Sequence, residues 1–330
     1  MTADRRAEPL EPTTGHGVSA PDACSVVWDG ADDASVYGTA APARFWVALE
    51  QDGPWGRNAA TQSHLPIEIG RVLERRCTQL GGRLTLIRRP GPHADQHRDP
   101  RRCYLAWSGP EPFLLVFDVA DAPAAVLDID LAPLARGDRA AVLAALPAAR
   151  PAPPVMLVCT NGRRDVCCAV RGRPVAAAGH QAYPGRVWEC SHTGGHRFSP
   201  TGVLLPWGRN LARLTEATIA DVVEAADRGA LPDAMTGPWH DRGASALRER
   251  GQAAESTVRH LIGETDLQAL DAPPDSDRAH DRERDGVRVV HRDGRTWLVQ
   301  LEVVVGEPRE NSCGTAAFPS RSWATSVTQV

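Results

Sequence analysis

Two short stretches hold the residues best suited to chemistry. The first is Cys159-Thr-Asn-Gly-Arg-Arg-Asp-Val-Cys167-Cys168, and the second is Ser191-His192-Thr-Gly-Gly-His196-Arg-Phe198. Eight residues separate Cys159 from Cys168, and three separate His192 from His196. Two of those three are glycines, which argue against a helix and for a tightly curled loop that aims both imidazoles at one point. A mixed set of thiolates and imidazoles suits zinc or an iron–sulfur cluster. Structural zinc sites usually space their cysteines by about two to four residues, so the interval here is long. A two-iron cluster is larger than a single ion and tolerates a wider loop. Either Cys167 or Cys168 can serve as the second thiolate, and zinc remains the alternative metal. Two thiolates and two neutral imidazoles would leave an oxidised 2Fe–2S cluster neutral, where four thiolates would leave it doubly negative. Histidine ligation therefore raises the potential, into a range of roughly −150 to +300 mV. Imidazole ligands also make the potential sensitive to pH.

These stretches need a scaffold that brings two loops together. The apolar run Val155–Cys159 reads as a buried strand, and the polar segment 160–166 as a loop. Residues 167–180 read as a helix interrupted by Gly172 and Pro174. A strand at 186–190, a hairpin over 202–214 and an amphipathic helix at 218–228 capped by Thr215 or Thr218 follow. The order β-α-β-β-β-α is the core of a thioredoxin-like layer with one mixed sheet. Both chemical stretches then lie in strand-end loops on the same sheet edge, with a helix N-terminus favouring the Cys168 thiolate.

The surrounding chain divides into further segments. Residues 1–20 read as a disordered leader. Residues 21–146 read as an α/β domain with strands at 45–50, 83–88, 103–107 and 113–117 and a helix at 65–80. Four prolines between Leu146 and Pro154 mark a stiff connector. The second, thioredoxin-like domain is expected at 155–229. Residues 230–318 read as a charged helical segment, a linker at 271–286 and a hairpin turning at Asp293-Gly294. The chain reads as irregular from Gly306, with a tail at 319–330. The expected fold class is α/β, with two thioredoxin-like layers in tandem, the first cluster-free, and a small C-terminal α+β segment.

Bulk properties exclude some functions. The 330 residues carry a formal charge of −4 with 42% hydrophobic content, so nothing points to nucleic acid or an anionic membrane surface. No apolar run is long enough to span a bilayer, and the N-terminus lacks the apolar segment of a signal peptide. A cytoplasmic location is expected. There thiols stay reduced, and the eight cysteines are candidates for metal ligation or redox chemistry. Cys24, Cys77, Cys103 and Cys313 read as buried small hydrophobes, and Cys167 as a packed helix residue. Arg163, Arg164, Arg171, Arg173 and Arg197 form either a docking patch for an acidic redox partner or a solvated face.

The motifs resemble the sucrase/ferredoxin-like family. The resemblance rests on the 159–168 stretch, Gly172-Arg-Pro-Val175 and Trp188-Glu-Cys-Ser-His-Thr-Gly-Gly-His-Arg-Phe198. Gly38-Thr-Ala40, Gly53-Pro-Trp-Gly56 and Leu86-Ile-Arg-Arg-Pro-Gly91 add to it, over roughly residues 22–318. It implies a thioredoxin-like ferredoxin with a bis-histidinyl 2Fe–2S cluster on Cys159, Cys168, His192 and His196. The family spacing favours Cys168 over Cys167. Cys190 is an extra thiol beside the motif. No carboxylate pair is placed for glycoside hydrolysis, so an electron carrier or redox sensor is expected rather than an enzyme. The other function class is a zinc-stabilised structural or interaction module. There is no nucleotide-binding glycine fingerprint, so a separate redox partner protein, reductase or acceptor, is implied.

Overall fold

A computed structural model describes residues 23–31, 35–91, 100–119, 123–272 and 286–330. The leader expected at 1–20 and most of the linker expected at 271–286 lie outside the described residues. The N-terminal half supplies strands β1 (Phe45–Glu50), β2 (Arg83–Arg88), β3 (Arg101–Trp107) and β4 (Phe113–Val119), with β5 (Arg150–Pro151) in the proline-rich connector. Beyond it come β6 (Val155–Cys159), β7 (Val187–Cys190), β8 (Gly202–Leu205), β9 (Arg209–Leu211) and β10 (Asp241–Ala244). The helices are α1 (Cys24–Asp29), α2 (Ile67–Gln79), α3 (Ala132–Ala135), α4 (Arg139–Ala145), α5 (Val166–Ala182), α6 (Glu216–Ala226) and α7 (Glu249–Leu261).

All ten strands join one mixed sheet in the order β10-β9-β8-β6-β7-β2-β1-β3-β4-β5. The two halves repeat one pattern. In the first, β1 runs parallel to β2 across helix α2, and β3 and β4 follow antiparallel. In the second, β6 runs parallel to β7 across α5, and β8 and β9 follow antiparallel. The seam is the antiparallel pair β2–β7, where Ile87 faces Cys190 and Arg88 faces Glu189. Parallel strands covered on both sides read as unbroken apolar runs, and every residue of β1 and of β6 is buried. Alternation sends Phe45, Val47 and Leu49 into a core with α2, and Trp46 and Ala48 into a core shared with β6, β7 and β8. The sheet curls to make that shared core. Ser108 Oγ after β3 donates to the Pro206 carbonyl after β8 at 2.6 Å, and Trp46 Nε1 reaches Ser245 Oγ at 3.2 Å. Helices α5 and α6 cover the outer face of the second half.

The C-terminal part departs from expectation in two places. Residues 230–270 are not wholly helical: β10 extends the sheet, and only α7 is a regular helix there. Glycines and prolines between Gly229 and Gly243 break the helix, and several of the segment's charges are buried partners. Arg209 on β9 binds Asp241 on β10 and Glu255 on α7, and Glu255 also pairs with Arg259 at 2.7 Å. Nor is the chain irregular beyond Gly306. A separate antiparallel sheet contains β11 (Leu270–Asp271), β12 (Val287–His291), β13 (Thr296–Glu310) and β14 (Ala317–Gln329). The β13–β14 register shifts between Gly306 and Pro308, so a bulge accommodates this glycine and proline within a continuous strand.

The buried ion network makes stability depend on acid. Desolvation pushes the Glu255 carboxyl up, but Arg209 and Arg259 outweigh it and hold it below its ordinary value of 4.5. A carboxylate depressed in the fold contributes stability above its unfolded pKa and loses it as pH falls through the folded one. Glu255→Gln leaves two guanidiniums short of a carboxylate and is expected to cost about 3–5 kcal/mol at neutral pH. Urea unfolding should show this deficit shrinking as pH is lowered below 4.5.

Candidate metal centre

Strand β6 ends at Cys159, and its loop is fixed by local hydrogen bonds. Asn161 Oδ1 accepts from the Arg163 and Arg164 amides, and Asn161 Nδ2 donates to the Gly56 carbonyl at 3.1 Å. Thr160 Oγ1 donates to Glu189 at 2.7 Å, and Glu189 is ion-paired with Arg88 at 2.8 Å across the seam. Arg88 in turn lies 4.1 Å over the Trp55 ring and donates to the Gly53 carbonyl. Sequence motifs from both halves thus meet in one network beneath the Cys159 loop.

Asp165 then caps α5 by accepting from the Cys167 amide at 2.9 Å. Gly172 lets α5 lie close to the strand: a Cβ there would stand 2.4 Å from the Cys159 carbonyl oxygen. Because helical residues advance by about 100°, the adjacent cysteines diverge. Cys168 turns to the inner core beside Cys159, whereas Cys167 turns towards Cys24.

The second loop leaves β7 at Cys190. Ser191 hydrogen-bonds Thr85 and the Leu86 amide, and buried Thr193 meets Thr201 at 3.1 Å. Gly194 and Gly195 adopt φ of 81° and 72°, the left-handed turn that brings the chain back at His196. The His192 and His196 rings stack with centroids 5.9 Å apart. Both Nδ1 atoms are buried without a partner, which is uncommon for buried polar atoms. The Cys168 thiol and the His192 side chain hold the Cys159 thiol well below its ordinary pKa, while the same contact with Cys159 pushes Cys168 up. Of the expected set, the structure therefore gathers Cys159, Cys168 and His192, with His196 stacked beside. Cys190 faces the apolar core, where burial raises its pKa.

Two cations that local spacing does not reveal line this loop. Arg83 at the start of β2 donates to the His192 carbonyl at 3.3 Å, and Arg242 on β10 donates to the Gly194 carbonyl at 3.0 Å. Desolvation, reinforced by Arg197 and Arg83, pulls the Arg242 guanidinium down to about 9. Of the arginines singled out from sequence, Arg171 pairs with Asp29 at 2.7 Å and Arg197 lies 5.1 Å over Trp28, while Arg163 and Arg173 are exposed.

A second group corrects the reading of three cysteines as isolated packing residues. Cys24, Cys167 and Cys313 converge with Asp165, all four donor atoms lying within 4.8 Å of one another. This buried Cys/Asp group could hold a metal ion. Cys159, Cys168, His192 and His196 are not drawn into so tight a sphere. Cys77 and Cys103 do sit in the apolar core.

The sucrase/ferredoxin-like family model matches residues 36–236, more than half of the chain. The chain belongs to the sucrase/ferredoxin-like family. No curated protein and no solved structure matches it. The matched span contains both β-α-β-β-β units and the histidine loop. Among the described residues no helix is long and apolar enough to cross a membrane.

The contact between Gly172 and Cys159 gives a direct test of the helix placement. Gly172→Ala forces α5 away from β6 and should cost about 1–3 kcal/mol. In metal-free protein, alkylation mapped by mass spectrometry should show Cys168 reacting faster than in the parent chain.

Proposed function

We propose that this family member is an electron-transfer or redox-sensing protein that carries a 2Fe–2S cluster on Cys159, Cys168, His192 and His196. The observation that carries this reading is the pair of buried, unpartnered histidine Nδ1 atoms in the loop beside the Cys159–Cys168 contact. The wider spread of these donors also suits a two-iron group better than one zinc ion. Such a cluster supplies one-electron transfer when bound. The chain's own residues prepare the site for it. Arg83 and Arg242 place positive charge beside the loop, where it stabilises an added electron and raises the potential. His192 and His196 are half-buried, so the histidine side is the natural route for electrons to and from a partner. Exposed Arg163 and Arg173 offer docking charge for an acidic redox partner.

The strand order supports a tandem thioredoxin-like reading. Each half has a sheet order in which the first strand lies between its parallel partner and the antiparallel pair. The seam matches equivalent positions, Ile87 with Cys190. Within each half Glu50 pairs with Ile87 as Cys159 pairs with Cys190. The first copy thus has Glu50 where the second has a thiol, in keeping with a cluster-free copy. The eight cysteines are all free, which suits a reducing, cytoplasmic setting.

An absorption spectrum with metal analysis on protein purified without oxygen tests the proposal. Broad visible bands with about two irons per chain, lost in Cys159→Ala and in His196→Ala, are expected. A colourless protein that takes up no iron on reconstitution sinks it. Arg83→Gln removes a cation and should lower the potential by about 60 mV, a decade in a one-electron equilibrium, as read by redox titration.

A further inference from the structure

The three cysteines around Asp165 come from distant parts of the chain. Cys24 opens α1, Cys167 lies in the first turn of α5, and Cys313 sits in the connection between β13 and β14. Their sulfurs stand 3.7 Å apart for Cys24–Cys167, 3.3 Å for Cys167–Cys313 and 3.5 Å for Cys24–Cys313. Asp165 Oδ1 lies 3.9 Å from the Cys24 sulfur and 3.8 Å from that of Cys313. A tetrahedral zinc with ordinary bond lengths separates its sulfurs by about 3.8 Å and sulfur from oxygen by about 3.5 Å. The observed triangle is close to that size. A disulfide would need about 2.0 Å and would leave one of three thiols unpaired.

The surroundings favour a closed shell. The Ser25 and Cys24 amides hydrogen-bond the sulfurs of Cys167 and Cys313. The N-terminus of α5 faces the group and favours negative charge. Asp165 is held in place by its second oxygen, Oδ2, which accepts from Ser312 Oγ at 2.7 Å and from the Cys313 amide at 3.1 Å. Arg197 nearby keeps a buried Nε without a partner. Packing alone explains the group poorly, because thiols at such distances are weak partners for a buried carboxylate. Val303, Val304 and Val305 of β13 and Phe318 of β14 are exposed, so burial of apolar surface does little to hold the ribbon, whose end is otherwise tied to α1 by Trp28, with Nε1 donating to the Glu310 carbonyl at 2.9 Å and the ring under Arg309.

We propose that Cys24, Cys167, Cys313 and Asp165 bind one zinc ion, separate from the proposed iron–sulfur site, which fastens α1 and the C-terminal ribbon to the start of α5. Four protein ligands leave no open position, so the ion is structural. The thiols surrender their protons to solvent as the ion binds. The inference is independent of the iron–sulfur reading.

The test uses the full chain carrying Cys159→Ala and His192→Ala, which removes two of the proposed iron ligands. Zinc analysis is expected to give one ion per chain in this variant and in the parent. Cobalt(II) loading should give the intense visible bands of a tetrahedral thiolate site. Both should be lost when Cys24→Ser and Cys313→Ser are added, and kept with Cys77→Ser in the core. Where the double change prevents folding, Cys313→Ser alone should shift the cobalt bands. Chelation should speed proteolysis of the β13–β14 ribbon. A chain that takes up neither zinc nor cobalt overturns the proposal, as does an intact-mass shift showing a disulfide. Iron in place of zinc at these cysteines, or cobalt bands indifferent to Cys313→Ser, overturns it as well.

Discussion

The Asp165 carboxylate fixes the start of α5, and both sulfur-bearing groups depend on where that helix starts. One oxygen accepts the Cys167 amide, and the other accepts Ser312 and the Cys313 amide from the C-terminal ribbon. His196 Nε2 stands 4.0 Å from the same carboxylate. A cap of this kind sets the rotation of the first helical turn as well as its position. With that rotation set, neighbouring side chains must point in different directions. Cys168 reaches the end of β6, and Cys167 reaches the two chain extensions. Moving the helix start by one residue would misdirect both.

The seam between the two halves supplies the second constraint. Arg88 and Glu189 are buried and face each other where β2 meets β7. A buried pair of this type adds little net stability but is costly to break, so it specifies one register. Register matters here because Glu189 also accepts from Thr160, the residue after Cys159. A slip of one residue would turn Cys190 and Trp188 to the opposite face. The stacking of Trp55 on Arg88 makes a turn in the first half part of the support for a loop in the second. The first half therefore contributes to the candidate site through its packing.

Local order was legible from the sequence. The strands β1, β2 and β6, the hairpin turn at Asp293-Gly294 and the Thr215 cap all follow from short-range rules, and the structure contains them. So does the convergence of Cys159 and Cys168, because a strand end and the next helix start are necessarily close. What escaped is non-local. Cys24 and Cys313 lie 289 residues apart and meet only because both chain extensions cross the start of α5. Arg83 and Arg242 approach the histidine loop from strands whose own sequences carry no sign of it. Asp241 falls in the segment that reads as helical, and it becomes a strand residue through its pairing with β9 and its buried arginine partner.

The adjacent cysteines then have a physical explanation. Two sulfurs on successive helical residues cannot readily join the same small coordination sphere, because the helix turns them apart. They can serve two different ones. In this reading Cys168 belongs to the electron-carrying group and Cys167 to the ion that fastens the chain ends. The shared backbone couples the two mechanically: whatever fixes Cys167 also fixes the position of its neighbour. Electrostatics limits how close they can lie, since three thiolates and a carboxylate outweigh the charge of a zinc ion and the cluster becomes negative when it is reduced. Arg83 and Arg242 accompany the histidine loop, while Arg197 and the helix N-terminus accompany the three cysteines. Each set of sulfurs thus has its own cationic surroundings, and one capped turn of helix can carry both.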